Sequence, residues 1–256
     1  MIQLKTPEEI EKVAAAGRLL EHVHDELAAA IRPGVTTARL DARAEELVRE
    51  GGGTPTFLDY QGFPASICSS VNDLVVHGIP GPLQLCPGDL VSIDIGVTLD
   101  DWIADCARSY VVGESGVNPA ANPLAARLID TAYRSLEAGI DKARPGVPMG
   151  DLSYAIQQVV EHAGFAVIRT LVGHGVGRSL HEEPPVPNHG RPGAMPLLEE
   201  GMVIAIEPMI TTGTHEIVED PDDGWSIYTA DGSLSAHVEH TVAITADGPR
   251  VLTRSG

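Results

Sequence analysis

The sequence predicts an α+β fold in two related halves, and two observations predict it. Patterned segments run helix, helix, strands, and that order occurs twice. Arg32-Pro33-Gly34-Val35 returns as Arg144-Pro145-Gly146-Val147, an offset of 112 at which Leu40 also meets Leu152, Val48 meets Val160 and Gly52 meets Gly164. Chance recurrence is the competing explanation, because the tetrapeptide is short and Pro-Gly is common in turns. A duplication instead gives halves of approximately 1–118 and 119–256, packed face to face around a cleft, where ligand sites tend to form. No low-complexity linker separates them, so one compact domain over 1–256 is expected.

Each element has a local cause. Thr6-Pro7-Glu8-Glu9 reads as a helix start, with Thr6 as cap, Pro7 in the first turn and Glu9 three residues after the cap. Ile10, Val13, Ala14 and Leu20 continue with helical spacing toward Ile31, and Pro33-Gly34 ends the run. A second helix fits 37–50, stopped by Gly51-Gly52-Gly53. From 65 to 112 the pattern shifts to short β-like runs. Helical spacing returns at 122–143 and 149–163, and a second β-rich stretch covers 167–252.

Composition narrows the function classes. With 43 % hydrophobic residues the chain is globular rather than disordered. A formal net charge of −19 repels nucleic acid and anionic membranes, so neither is expected as a partner. Carboxylates in such numbers also suit a divalent-cation site. Cys68, Cys86 and Cys106 are sparse and odd in number, which argues for a reducing compartment. Neither a signal peptide nor a bilayer-length apolar run is visible, so the cytoplasm is expected.

The chemistry lies in a few segments. Asp94 sits between Ile93 and Ile95 in a strand-like run, and Trp102 to Ala107 reads as a second strand carrying Asp105. A two-residue turn at 99–100 sets Asp94 directly across from Asp105. Either aspartate alone is satisfied by solvent or a turn; two together in apolar surroundings need a proton or a cation. In Gly173-His174-Gly175-Val176-Gly177, the glycines would let the backbone approach a bound group. The glycine spacing fits no usual nucleotide fingerprint. His174 and His181, seven apart in this Gly-rich stretch, read as ligands or an acid–base pair. Alone, each is simply packed, and His77 before Gly78-Ile79-Pro80 says little by itself. Glu207 ends an apolar strand. Glu239 shares one face of an alternating run with Ser235, His237 and Thr241. An ion pair is the ordinary explanation for each glutamate, yet almost no basic residue lies near them in sequence. Asp94, Asp105, His174, Glu207 and Glu239 together form a hard donor set. It suits one or two divalent ions of the Mn, Fe or Co kind, and bridging carboxylates would hold two ions about 3.5–4 Å apart.

These segments resemble the methionine aminopeptidases of the pita-bread (creatinase/aminopeptidase) metallopeptidase superfamily. The resemblance rests on Ser70-Val71-Asn72-Asp73 through His77-Gly78-Ile79-Pro80, Ile93-Asp94 with Asp105, Gly173 to Gly177 with His181-Glu182-Glu183-Pro184, Ile206-Glu207-Pro208-Met209, and Glu239-His240-Thr241. It implies two pseudo-twofold halves with a curved antiparallel sheet covered by helices. It also implies two divalent ions, drawn from Co, Mn, Fe, Zn and Ni, activating a hydroxide that removes the first methionine of a nascent chain. Asp94 would chelate one ion, Asp105 and Glu239 would bridge, and His174 and Glu207 would complete the other shell. Glu207 would shuttle the proton, His181 would meet the carbonyl oxygen and His77 the scissile amide. Tyr60, Phe63, Cys68 and Trp225 would line the methionine pocket; Phe63 replaces a tyrosine expected in many relatives. Cys106 carries no role. The interval from His181 to Glu207 is 26 positions, too short for the helical insertion of the second type, so the short bacterial first type is expected. A monomer is expected, with docking to the ribosome as a family role. Two rivals remain: a prolidase or Xaa-Pro aminopeptidase, which usually carries a further N-terminal domain, and a non-catalytic binder, which tends to lose metal ligands.

Overall fold

The structure is a computed structural model describing residues 2–254. Four α-helices stand out, α1 (Pro7–Ala30), α2 (Thr37–Glu50), α3 (Pro123–Lys142) and α4 (Met149–His162). α1 starts with a complete capping box. Glu9 N donates to Thr6 Oγ1 at 3.3 Å, and Thr6 N donates to Glu9 Oε2 at 2.9 Å. Two of the helix's orphan donors are thereby satisfied. α1 buries Val13, Ala16, Leu20, Val23 and Leu27, a stripe at the three-to-four spacing of one helical face. The apolar interior forms two main clusters, one mostly from each half. α1 packs on the first hairpin and α2 on α1 and strand Thr54–Pro55, while α3 and α4 pack mainly on the strands of the second half.

The sheets are antiparallel. Strand Leu90–Leu99 pairs with Trp102–Val111 on one side and with Cys68–Val71 on the other. The second half contributes a five-stranded sheet in the order 248–251, 240–245, 203–206, 172–175, 182–187. The backbone repeats between halves in detail. Gly34 N donates to Leu85 O and Gly146 N to Leu198 O, both at 2.8 Å. Gly34 and Gly146 hold φ of 81° and 82°, and Gly52 and Gly164 both hold 80°. The bridge between Thr36 and Gln84 is matched by one between Pro148 and Leu197. The recurring Pro-Gly segment thus builds the same turn twice, left-handed glycine included.

One expectation is corrected. The hairpin turns at Asp100-Asp101, not at 99–100, so Leu99 faces Trp102, Asp105 faces Gly96 and Asp94 faces Ala107. Both turn residues have positive φ, 49° and 64°. That is the two-residue hairpin geometry whose twist matches the strands, and aspartate tolerates it. Asp94 and Asp105 are consequently diagonal neighbours on one face rather than directly opposed. No described helix is long and apolar enough to cross a membrane.

Candidate metal centre

The strands of both halves meet where the five residues stand. Thr241 Oγ1 accepts from Asp105 N at 2.9 Å and donates to Asp105 O at 2.8 Å, and Glu239 N donates to Ala107 O at 2.9 Å. These bonds stitch the first hairpin to the last long strand and set Asp105 beside Glu239. The buried Cys106 adds to the seam, its Sγ donating to Glu239 O at 3.0 Å, and burial pushes its thiol up to about 12. Glu207 follows strand Val203–Ile206 directly, and Asn188 Nδ2 donates to its carbonyl at 3.0 Å.

All five side chains converge. Donor atoms of Asp105, His174 and Glu239 lie within 4.8 Å of one another. His174 Nε2 is 3.5 Å from Glu207 Oε1 and 3.8 Å from Asp105 Oδ2. Its Nδ1 donates to Gly175 O at 2.9 Å, which leaves Nε2 bare and turned to the carboxylates, the usual posture of a ligating imidazole. Asp94 and Asp105 sit close enough to share a proton.

The electrostatics point to a cation. Burial raises all four carboxyls. Asp94 and Glu207 stand at about 7, and Asp105 and Glu239 are pushed well above the carboxylate range by burial and by their acidic neighbours. Asp94 Oδ1 and Glu239 Oε1 are buried without any hydrogen-bond partner. Among the described residues, the basic groups within ion-pair distance of Asp105 and Glu207 are the imidazoles of His174 and His237, with no lysine or arginine. Orphaned hard oxygens and a bare His174 nitrogen fit divalent ions, which would replace the protons these carboxyls otherwise hold.

Above the cluster opens a cavity of about 290 Å³, lined by Tyr60, Phe63, Cys68, His77, His181 and Trp225 as well as the five donors. Phe63 meets Trp225 edge-on, with centroids 5.1 Å apart. His181 packs against His174, centroids 4.4 Å apart, and its Nδ1 lies 2.8 Å from the Tyr60 hydroxyl. Burial and neighbouring His77 lower the pKa of His181, so the ring is neutral near pH 7. In the Nε2–H tautomer the Tyr60 O–H donates to Nδ1, and in the Nδ1–H tautomer the ring donates to the phenol oxygen. His77 takes a left-handed backbone, φ 60°, and burial lowers its ring to about 4.

Two readings of the sequence change here. The glycines around His174 admit protein, not a ligand. A Cβ on Gly173 would lie 2.3 Å from Ala205 O, and one on Gly175 would lie 2.3 Å from Glu183 O. They serve close strand packing in the five-stranded sheet. His237, which the sequence marks only as sharing a face with Glu239, lines the cavity, buried, with Nε2 lacking a hydrogen bond and 3.6 Å from Glu207 Oε2. Its alternation with Glu239 was the available signal.

The family model described as metallopeptidase family M24 matches residues 11–246. The chain is 48 % identical over 253 residues to the methionine aminopeptidase of Clostridium perfringens, covering 99 % of both. Its fold is similar to the crystal structure of methionine aminopeptidase from Rickettsia prowazekii. That match has a TM-score of 0.95 at 39 % identity, over 99 % of this chain and all of that one. The chain belongs to metallopeptidase family M24. Within M24 it falls with the methionine aminopeptidases, at 43 % identity also to methionine aminopeptidase 1 of Bacillus subtilis over 99 % of this chain and all of that one. The pita-bread architecture and a divalent-metal-dependent aminopeptidase activity come with that membership.

Proposed function

We propose that this M24 enzyme removes the N-terminal methionine of nascent chains in the cytoplasm with two divalent cations. The observation that carries the reading is the convergence of Asp94, Asp105, His174, Glu207 and Glu239, two of them with orphaned oxygens, on the floor of an apolar cavity. Asp94, Asp105 and Glu239 would hold one ion, and Asp105, Glu239, His174 and Glu207 the other. Bound cations supply a nucleophile at neutral pH by acidifying water, and they polarise the carbonyl.

The protein does the rest. Glu207 takes the proton released on attack and returns it to the departing amine. His181, bonded to Tyr60 through Nδ1, would carry its proton on Nε2 and donate a hydrogen bond to the carbonyl oxygen as charge develops there. His77 contacts the scissile amide. Phe63, Trp225, Cys68 and Tyr60 bury the methionine side chain, so selection is by fit and desolvation. A single domain of two repeated halves, 1–118 and 119–256, with the centre at their junction, belongs to the same reading. So do a monomeric state and access to chains leaving the ribosome.

The test adds Co, Mn, Fe, Zn and Ni in turn to metal-free protein and measures methionine release from Met-Ala-Ser against cleavage of Ala-Pro peptides. Release of methionine with two equivalents of metal is expected. Faster cleavage of Ala-Pro would move the enzyme to the proline-directed branch, and no cleavage under any ion would leave a binding protein. A finer check concerns Tyr60. Tyr60→Phe frees the His181 tautomer and removes one hydrogen bond worth about 1 kcal/mol, so kcat should fall roughly fivefold to tenfold. Unchanged kcat would show that His181 needs no such orientation.

A further inference from the structure

The N-terminal strap and the His181 loop meet through a buried ion pair. Lys5 Nζ donates to Glu182 Oε2 at 2.5 Å, and the two side chains are 4 % and 5 % exposed. The partners are 177 residues apart in sequence. Each is anchored on its own side. Lys5 Nζ also donates to Gln3 O at 3.1 Å, and Lys5 N donates to Gly201 O at 2.7 Å. Glu182 Oε1 accepts from Arg178 N at 2.9 Å and Ser179 N at 3.3 Å. One carboxylate therefore closes the tip of the 176–182 loop with one oxygen and grips the N-terminal strap with the other.

The loop is shaped to admit this pair. A Cβ on Gly177 would lie 2.6 Å from Lys5 Cε and 2.8 Å from Glu182 Oε1. Gly177 O also accepts from Ile103 N at 2.8 Å, and the Arg178 guanidinium stacks over Trp102 at 4.5 Å. The next residue back from Glu182 is His181, whose ring reaches Tyr60 on one side and His174 on the other. The His181 ring rests on side chains carried by other segments, so its place also depends on the backbone that carries it.

We infer that Lys5, through its buried pair with Glu182, is a positioning residue for His181. The inference rests on the role given to His181 above. Removing either partner strands a charge in a dry setting, and the loop moves to hydrate it. Displacement of a catalytic donor by about 1 Å costs up to roughly 100-fold in rate. Because His181 meets charge that exists in the transition state, the loss falls on kcat and spares KM.

The experiment compares metal-loaded wild type, Lys5→Met, Glu182→Gln and the uncharged double variant, each also in a His181→Ala background. Steady-state cleavage of Met-Ala-Ser and metal content are read throughout, and the NMR signal of the His181 Cε1–H wherever His181 is present. Lys5→Met and Glu182→Gln should each lower kcat roughly 10–100-fold, with KM and metal content unchanged and the His181 signal shifted or broadened. In the His181→Ala background the same substitutions should cost nothing further. The double variant leaves no stranded charge, so it keeps the comparison available if a single variant does not fold. An equal loss of kcat with and without His181 would overturn the inference, as would a full rate with an unmoved signal. The NMR readout stands even if wild type released no methionine, which would count against the proposed function alone.

Discussion

Glu207→Gln is expected to lower kcat for Met-Ala-Ser by roughly 10²–10⁴-fold, the span of a positioned acid–base group, with little change in KM. Glu207 stands between two imidazoles, Oε1 3.5 Å from His174 Nε2 and Oε2 3.6 Å from His237 Nε2. Burial raises it to about 7, and His174 pulls the other way. A bound cation would keep that carboxylate ionised and free to accept the proton released on attack. Glutamine keeps the volume and one ligating oxygen but cannot take the proton. Kinetics must therefore be read beside metal content. Lost rate with metal retained assigns the proton to Glu207. Lost rate that tracks lost metal assigns it ligation alone, and full rate with full metal removes it from the chemistry.

The sequence was most legible where causes are local. The Thr6 cap, the Pro33-Gly34 break and the three glycines after α2 place helix ends within a residue or two, because capping and backbone freedom act over a single turn. The first hairpin shows the limit. Asp100 and Asp101 both accept left-handed geometry, and that preference moved the turn by one residue and Asp94 from opposite Asp105 to diagonal. Both carboxylates kept their face, so the pairing survived in coarse form. Donor chemistry and the scarcity of nearby basic residues group His174 and Glu207 with that hairpin, but no local pattern relates distant strands, so their individual roles come only from resemblance. Lys5 gave no signal at all, because its partner lies on the other half. His237 was hidden by its bland alternation, although the same alternation carried Glu239.

Removing the metal should destabilise the protein most at high pH, against the usual behaviour of paired carboxylates. Asp94 and Glu207 fold with carboxyls near 7, and Asp105 and Glu239 lie well above their ordinary values. Unfolded, all four return to about 4. Between those values the metal-free folded state binds more protons than the unfolded one. Their stability contribution is thus complete below about pH 4 and is lost as pH rises through 7, at up to about 1.4 kcal/mol per pH unit for each group. His24 and His240, lowered by burial to about 3, act in the opposite direction: their contribution is present above about 6.5 and lost on acidification. Because neither is among the five donors, they largely cancel when loaded and stripped protein are compared at one pH. Bound cations take the place of the protons, so the gain in Tm on adding Mn should be near zero at pH 5 and grow through pH 8. At a thousandfold excess over Kd the gain is about 4 kcal/mol, or roughly 10 °C for a chain of this size. Scanning calorimetry with chelator or metal across that range reads it directly. If lysines or arginines paired these carboxylates instead, their pKa values would be depressed and metal would add nothing. A Tm gain that is absent, or that shrinks as pH rises, would show that protons and cations do not compete for this cluster.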